Sequence, residues 1–152
     1  MLTGSRTLVE VLRNRAQSPE GLKGFTFLVD GEGLEERLNY AELDRRAQAL
    51  GARLSARVEK GERAVLVFDA GLDYVQALFA CFHAGVVAVP AYPPNPLRPE
   101  VGLAQIERVA TDSGAVVVLG STALLSRLRA LAKDAPWARH LEWIDVNDAS
   151  RE

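Results

Sequence analysis

The sequence predicts an α/β fold. It is an open, mostly parallel sheet of three stacked βαβ units with helices on both faces, plus a leading helix and a small antiparallel hairpin. Three observations predict it. First, "AVLVF" (64–68), "VVAVP" (86–90) and "AVVVLG" (115–120) are apolar almost throughout, and "LEWIDV" (141–146) follows as a fourth strand. Strands buried on both faces of a parallel sheet read as such runs. Second, a stripe of apolar residues at helical spacing separates each run from the next, so each pair of strands is joined by a crossover expected to be right-handed. Third, an alternating stretch with a glycine-rich turn precedes them, which is the signature of a hairpin.

In order along the chain, Thr7 and Glu10 have the spacing of a capping box, in which each side chain satisfies an orphan backbone donor. Leu8, Val11 and Leu12 then share a helical face that should fade near Ser18-Pro19. Phe25, Phe27 and Val29 alternate with Thr26, Leu28 and Asp30, "DGEG" makes the turn, and a short strand around Arg37–Asn39 returns. Asn39 and Glu42 read as a second cap, ahead of a stripe of Leu43, Ala47, Leu50 and Leu54. Asp73 reads as the cap of a helix carrying Val75, Leu78, Phe79 and Phe82, which Gly85 closes. "VVAVP" reads as the second buried strand. A helix with Leu103, Ile106 and Ala110 follows and stops at "SGA". Ser121 or Thr122 should cap the last helix, with Leu124, Leu128 and Leu131 on its face.

Composition narrows the function classes. The chain has 152 residues, 48% apolar and 25% charged, with a formal net charge of -2. That is an ordinary single globular domain, and no basic stripe recommends nucleic acid as a partner. One cysteine, Cys81, forbids an internal disulfide and favours a reducing compartment. The amino terminus lacks a secretory pattern. The longest apolar run, Ala77–Tyr92, is interrupted by His83 and Pro90 and is too short to span a bilayer. The expectation is a cytoplasmic protein without a membrane span.

Ligands of open α/β sheets bind outside the carboxyl ends of the strands. The candidate loops are therefore 69–73, 90–99, 120–122 and the tail after Val146. "DAGLD" has one glycine and two acids, which does not suit a phosphate cradle. "GST" precedes a helix and reads more simply as a cap than as an anion site. Neither GxGxxG nor GxxxxGK[ST] occurs. His83 and His140 have no neighbours at metal-ligand spacing, and His83 reads as a cation suited to a helix carboxyl end. Cys81 lies among apolar residues and reads as a buried structural thiol. The tryptophans and tyrosines are scattered, with no stacking platform. No catalytic, cofactor-binding or metal-binding residue can be assigned from these patterns.

Several stretches nevertheless resemble one family. "TLVEVLRNRAQ", "FTFLVD", "RLNYAELDRRAQALGARL", "RAVLVFDAGLDYVQALFACFHAGVVAVPAYPP" and "IERVATDSGAVVVL" are similar to the amino-terminal region of fatty-acyl-AMP ligases, over roughly Thr7 to Val146. These belong to the adenylate-forming superfamily, with acyl-CoA synthetases and amino-acid adenylation domains. "AVPAYPP" resembles the acyl-AMP ligase branch more narrowly. The resemblance implies a parent enzyme that uses ATP and Mg2+ to convert a fatty acid to an acyl-adenylate. The acyl group then passes to an acyl carrier protein, often in polyketide or nonribosomal peptide assembly.

The family's phosphate loop ending in Lys-Gly, its ribose-binding and magnesium-holding acids and its carboxy-terminal lid have no counterpart here. "TDSGAVVV" is not that loop, because it has one glycine and no lysine. The chain thus reads as a single amino-terminal subdomain, residues 1–152, without adenylation activity alone. The rival readings are the corresponding part of an acyl-CoA synthetase or amino-acid adenylation enzyme, or a free-standing interaction module.

Residues 90–99 hold five of the seven prolines. Each proline fixes its own φ and pushes its predecessor towards extended geometry. The expectation is a stiff extended strap of Tyr92, Pro93, Pro94 and Pro96 across the mouth of the sheet. Its partner would be the remainder of the parent enzyme, near the acyl or carrier-arm channel. The plain alternative is an ordered crossover loop. An exposed docking surface would also permit a homodimer.

Overall fold

The computed structural model describes residues 7–148. Helix α1 (Leu8–Ala16) opens with the expected capping box: Thr7 Oγ1 accepts from the Glu10 amide, and Glu10 accepts from the Thr7 amide. A short 3-10 turn at Pro19–Leu22 leads into the hairpin β1 (Gly24–Leu28) and β2 (Glu35–Asn39). Asp30 Oδ1 accepts from the amides of Glu32, Gly33 and Leu34, and Gly31 takes φ 79°. Those donors favour the charged form and lower the Asp30 carboxyl to about 2. Asn39 caps α2 (Tyr40–Ser55) by accepting from the Glu42 amide at 2.8 Å.

The main sheet holds β3 (Arg63–Val67), β4 (Val87–Ala91), β5 (Val117–Gly120) and β6 (Glu142–Asp145), all parallel, in the spatial order β4-β3-β5-β6. The crossovers are α3 (Leu72–Ala84), α4 (Pro99–Ser113) and α5 (Thr122–Leu131). Gly85 and Gly114 end α3 and α4 with φ 68° and 60°, the left-handed geometry that favours glycine at a helix end. Arg63 reinforces the second of these ends. Its guanidinium donates to the carbonyls of Ser113 and Gly114, both at 2.7 Å.

Both faces of the sheet are covered, which explains the unbroken apolar runs. Ala64, Leu66, Val117, Leu119 and Ile144 pack under α2 and α3, against Leu50, Leu54, Ala77 and Ala80. Val65, Val67 and Val118 pack on the other side, against Ile106, Leu124 and Leu128 of α4 and α5. Leu12, Leu38 and Leu43 form a third cluster that ties α1 and the hairpin to α2.

Three expectations are corrected. The run 86–90 is not a strand buried on both faces. β4 lies at the sheet edge, Val87 is 49% exposed, and only Val86 just before the strand is fully buried. Pro90 carried that signal, because a proline within a strand pattern belongs at an edge. Asp73 does not cap α3. Gly71 holds that position in extended backbone, and Asp73 sits in the first turn, where its charge suits the helix dipole. Finally, His83 does lie in the last turn of α3, but it is largely enclosed, with Nε2 3.4 Å from Asp44 Oδ1, and desolvation lowers its pKa despite that carboxylate, so its place disfavours the cation rather than suiting it.

Candidate functional site at the carboxyl ends of the strands

Strand order reverses between β3 and β5, because the chain leaves β3 towards β4 and returns beyond β3 to β5. Such a switch point opens a crevice at the carboxyl ends of the strands. Here it is flanked by the loop Phe68–Gly71 after β3, by Gly120 at the end of β5 and by Ser121 after it. Gly120 is required by close packing: a Cβ there would lie 2.9 Å from both the Val67 carbonyl oxygen and Leu125 Cδ2. Ser121 occupies the first-cap position of α5, as expected, but its hydroxyl makes no capping bond. Asp73 Oδ2 accepts from Asn147 Nδ2 at 3.0 Å, fastening the first turn of α3 to the segment after β6. That segment is described as far as Asp148, and the rest of the expected tail loop lies outside the described residues.

The expected strap residues divide between two cavities. Tyr92 and Pro93 join Phe68, Tyr74 and Pro90 around a cleft of about 410 Å³ at the ends of β3 and β4. Phe68 and Tyr74 meet edge to face there, with ring centroids 6.2 Å apart, while Tyr92 is 80% exposed. Pro94 and Pro96 instead line an apolar groove of about 440 Å³ with Pro99 and with Leu124, Leu128 and Leu131 of α5. The segment is not extended throughout. It turns at Asn95–Arg98, where Asn95 accepts from the amides of Leu97 (2.9 Å) and Arg98 (3.0 Å). Pro94 is wedged against α4, since a Cβ on Gly102 would meet Pro94 Cα at 2.5 Å.

The titratable side chains lining the two cavities are Tyr74 and Tyr92 at the cleft and Arg127 at the groove. Cys81 is buried in the apolar layer under α3, and desolvation raises its thiol to about 12, so it is a structural thiol as expected. Among the described residues, no three His, Cys, Asp or Glu side chains are grouped to hold a metal ion, and no helix is long and apolar enough to cross a membrane. Aromatic residues pair locally, as in Phe25–Tyr40 and Phe79–Phe82, rather than forming a platform. The aromatic cleft itself was not legible in sequence: Phe68, Tyr74 and Tyr92 converge only once β3 and β4 lie side by side.

Known proteins give this scaffold a context. The medium-chain-fatty-acid–[acyl-carrier-protein] ligase JamA of Moorena producens is 35% identical over 139 residues, which is 91% of this chain and 24% of that protein. A fatty acid AMP ligase from Legionella pneumophila superposes with a TM-score of 0.78 at 32% identity, over 94% of this chain and 24% of the other. The fatty acyl-adenylate ligase of L. pneumophila, in complex with acyl adenylate and pyrophosphate, gives 0.76 at 33% identity, over 95% and 24%. The chain thus spans about a quarter of the length of these relatives. Residues 15–152 match the family described as AMP-binding enzyme, and the chain belongs to that family, within its fatty-acyl-AMP ligase-like branch.

Proposed function

We propose that residues 1–152 form the amino-terminal α/β subdomain of a fatty-acyl-AMP ligase. The parent joins a fatty acid to AMP from ATP, releases pyrophosphate, and passes the acyl group to an acyl carrier protein in the cytoplasm. The observation that carries this reading is the 35% identity to JamA across 91% of the chain. The same fold in an acyl-adenylate ligase supports it.

ATP and Mg2+ belong to the chemistry of the parent, and its other parts hold the phosphates. In support, Asp69 before α3 and Asp73 in its first turn stand where a run of glycine amides would cradle a phosphate. This chain supplies packed strands and the aromatic cleft at their ends.

Tyr92, Pro93, Pro94 and Pro96 then face the remainder of the parent, near the acyl or carrier-arm channel. Proline lowers the entropy lost when a loop is held against a partner. Leu97, 89% exposed, and Leu131 at the α5 groove offer apolar surface for the same remainder. In its absence, the same exposed surface permits a homodimer.

Acceptor preference tests the parent's activity. With a fatty acid and ATP, the longer enzyme should form acyl-adenylate and load holo acyl carrier protein in preference to CoA. Preferential acyl-CoA formation would instead favour a CoA ligase. Pro93→Ala/Pro94→Ala in the longer enzyme tests the strap, which fails if adenylation and acyl-transfer rates both stay unchanged.

A further inference from the structure

We propose that Arg53 and Arg129 guard the open edge of β6 against the addition of another strand. Among the described residues β6 is an edge strand of the sheet, paired on one side with β5. The Glu142 amide donates to Val116 and the Val146 amide to Gly120, so Glu142, Ile144 and Val146 turn their backbone groups towards β5. Backbone groups alternate sides along a strand, so Trp143 and Asp145 turn theirs outward. Those outward carbonyls are the acceptors that a new strand would use.

Each is already occupied by a guanidinium, and the two come from opposite helical layers. Arg129 of α5 donates Nη2 to the Trp143 carbonyl at 2.9 Å. Arg53 of α2 donates Nη2 to the Asp145 carbonyl at 3.1 Å. The Arg129 guanidinium also lies 5.9 Å from the centre of the Trp143 ring, which helps hold it in place. The two side chains thus reach over the strand edge from above and below, across a groove of about 520 Å³ that also contains Arg57 and Glu142. Unpaired edges are templates for strand addition, and charged side chains are a known means of blunting them. An incoming strand must break both charge-assisted bonds and crowd two cations before it gains its own ladder.

A second copy of the chain is the probe strand for the test. Two β6 edges related by a two-fold axis would pair antiparallel and present the same groups to one another. Arg53→Ala/Arg129→Ala is compared with the unsubstituted chain by sedimentation and by amide hydrogen exchange. Self-association should strengthen about tenfold for each guard removed. The Trp143 and Asp145 amides should become protected as it does. A folded double variant with unchanged association, or one that associates with those two amides still exchanging freely, overturns the proposal. Should the alanine variant not fold, Arg53→Met/Arg129→Met keeps the apolar stems without the donors, and the same two readings apply. Protection of the Trp143 and Asp145 amides in the self-associated unsubstituted chain would also overturn it, because the guards would then not exclude a strand.

Discussion

At the β4 edge, the outward positions are Ala88 and Pro90, because the Val87 amide turns inward to the Glu62 carbonyl. Pro90 has no N–H, so this edge lacks a donor by covalent structure. At the β6 edge, the outward residues Trp143 and Asp145 keep their donors, and their carbonyls are covered by Arg129 and Arg53. Burial differs too. Ile144 in β6 is 1% exposed, whereas Val87 in β4 is 49% exposed. One edge is closed by what its backbone lacks and the other by what two helices lay over it. The first kind of closure is indifferent to salt and to distant substitutions, and the second depends on both.

The largest effect that separates the edges is packing. Ile144→Ala should cost about 3 kcal/mol in denaturant unfolding, since the side chain is enclosed between the sheet and α2 and α3. Val87→Ala should cost less than about 1 kcal/mol. Equal costs would break the comparison.

Next comes the apolar layer behind the sheet. Cys81 keeps its proton to about pH 12, while an unfolded thiol ionises near 9.0. Its contribution to stability is therefore complete below pH 9.0 and falls as pH rises towards 12, by at most about 1.4 kcal/mol per pH unit. Cys81→Ala should remove that slope in alkaline unfolding curves without altering either edge.

Pro90→Ala should change stability by less than about 1 kcal/mol. It restores one outward donor, so it should strengthen self-association by a salt-independent amount smaller than that of the Arg53/Arg129 double variant. A larger, salt-sensitive gain would mean that β4 is closed by charge after all. The smallest effect concerns His83. Its pKa lies below 6.5 in the folded chain, so its contribution is complete above pH 6.5 and is lost as pH falls through the folded value. His83→Gln should flatten that part of the acid unfolding curve.

The contrast between the edges also explains what the sequence could reveal. Local signals were legible. Thr7–Glu10, Asn39–Glu42, Gly85 and Gly114 each act within a few residues of chain, and each forms the cap or turn expected. Pro90 is a local signal too, but the apolar run around it points the other way, to a buried strand. Asp73 had the right residue type for a cap, yet its place within the first turn depends on where Gly71 starts the helix. The pairing of Arg53 with Asp145 spans 92 residues, and it exists only once strand order has put β6 beside α2. The same holds for His83 with Asp44 and for the aromatic cleft. For function, spacing and composition supplied only scaffold, and the likeness of whole segments to a family supplied the chemistry.

The most direct measurement is fatty-acid-dependent ATP–pyrophosphate exchange, made with residues 1–152 alone and with the longer enzyme that contains them. The account predicts exchange from the longer enzyme and none above background from the 152-residue chain. Exchange by the chain alone, or a longer enzyme that activates no fatty acid, would contradict it.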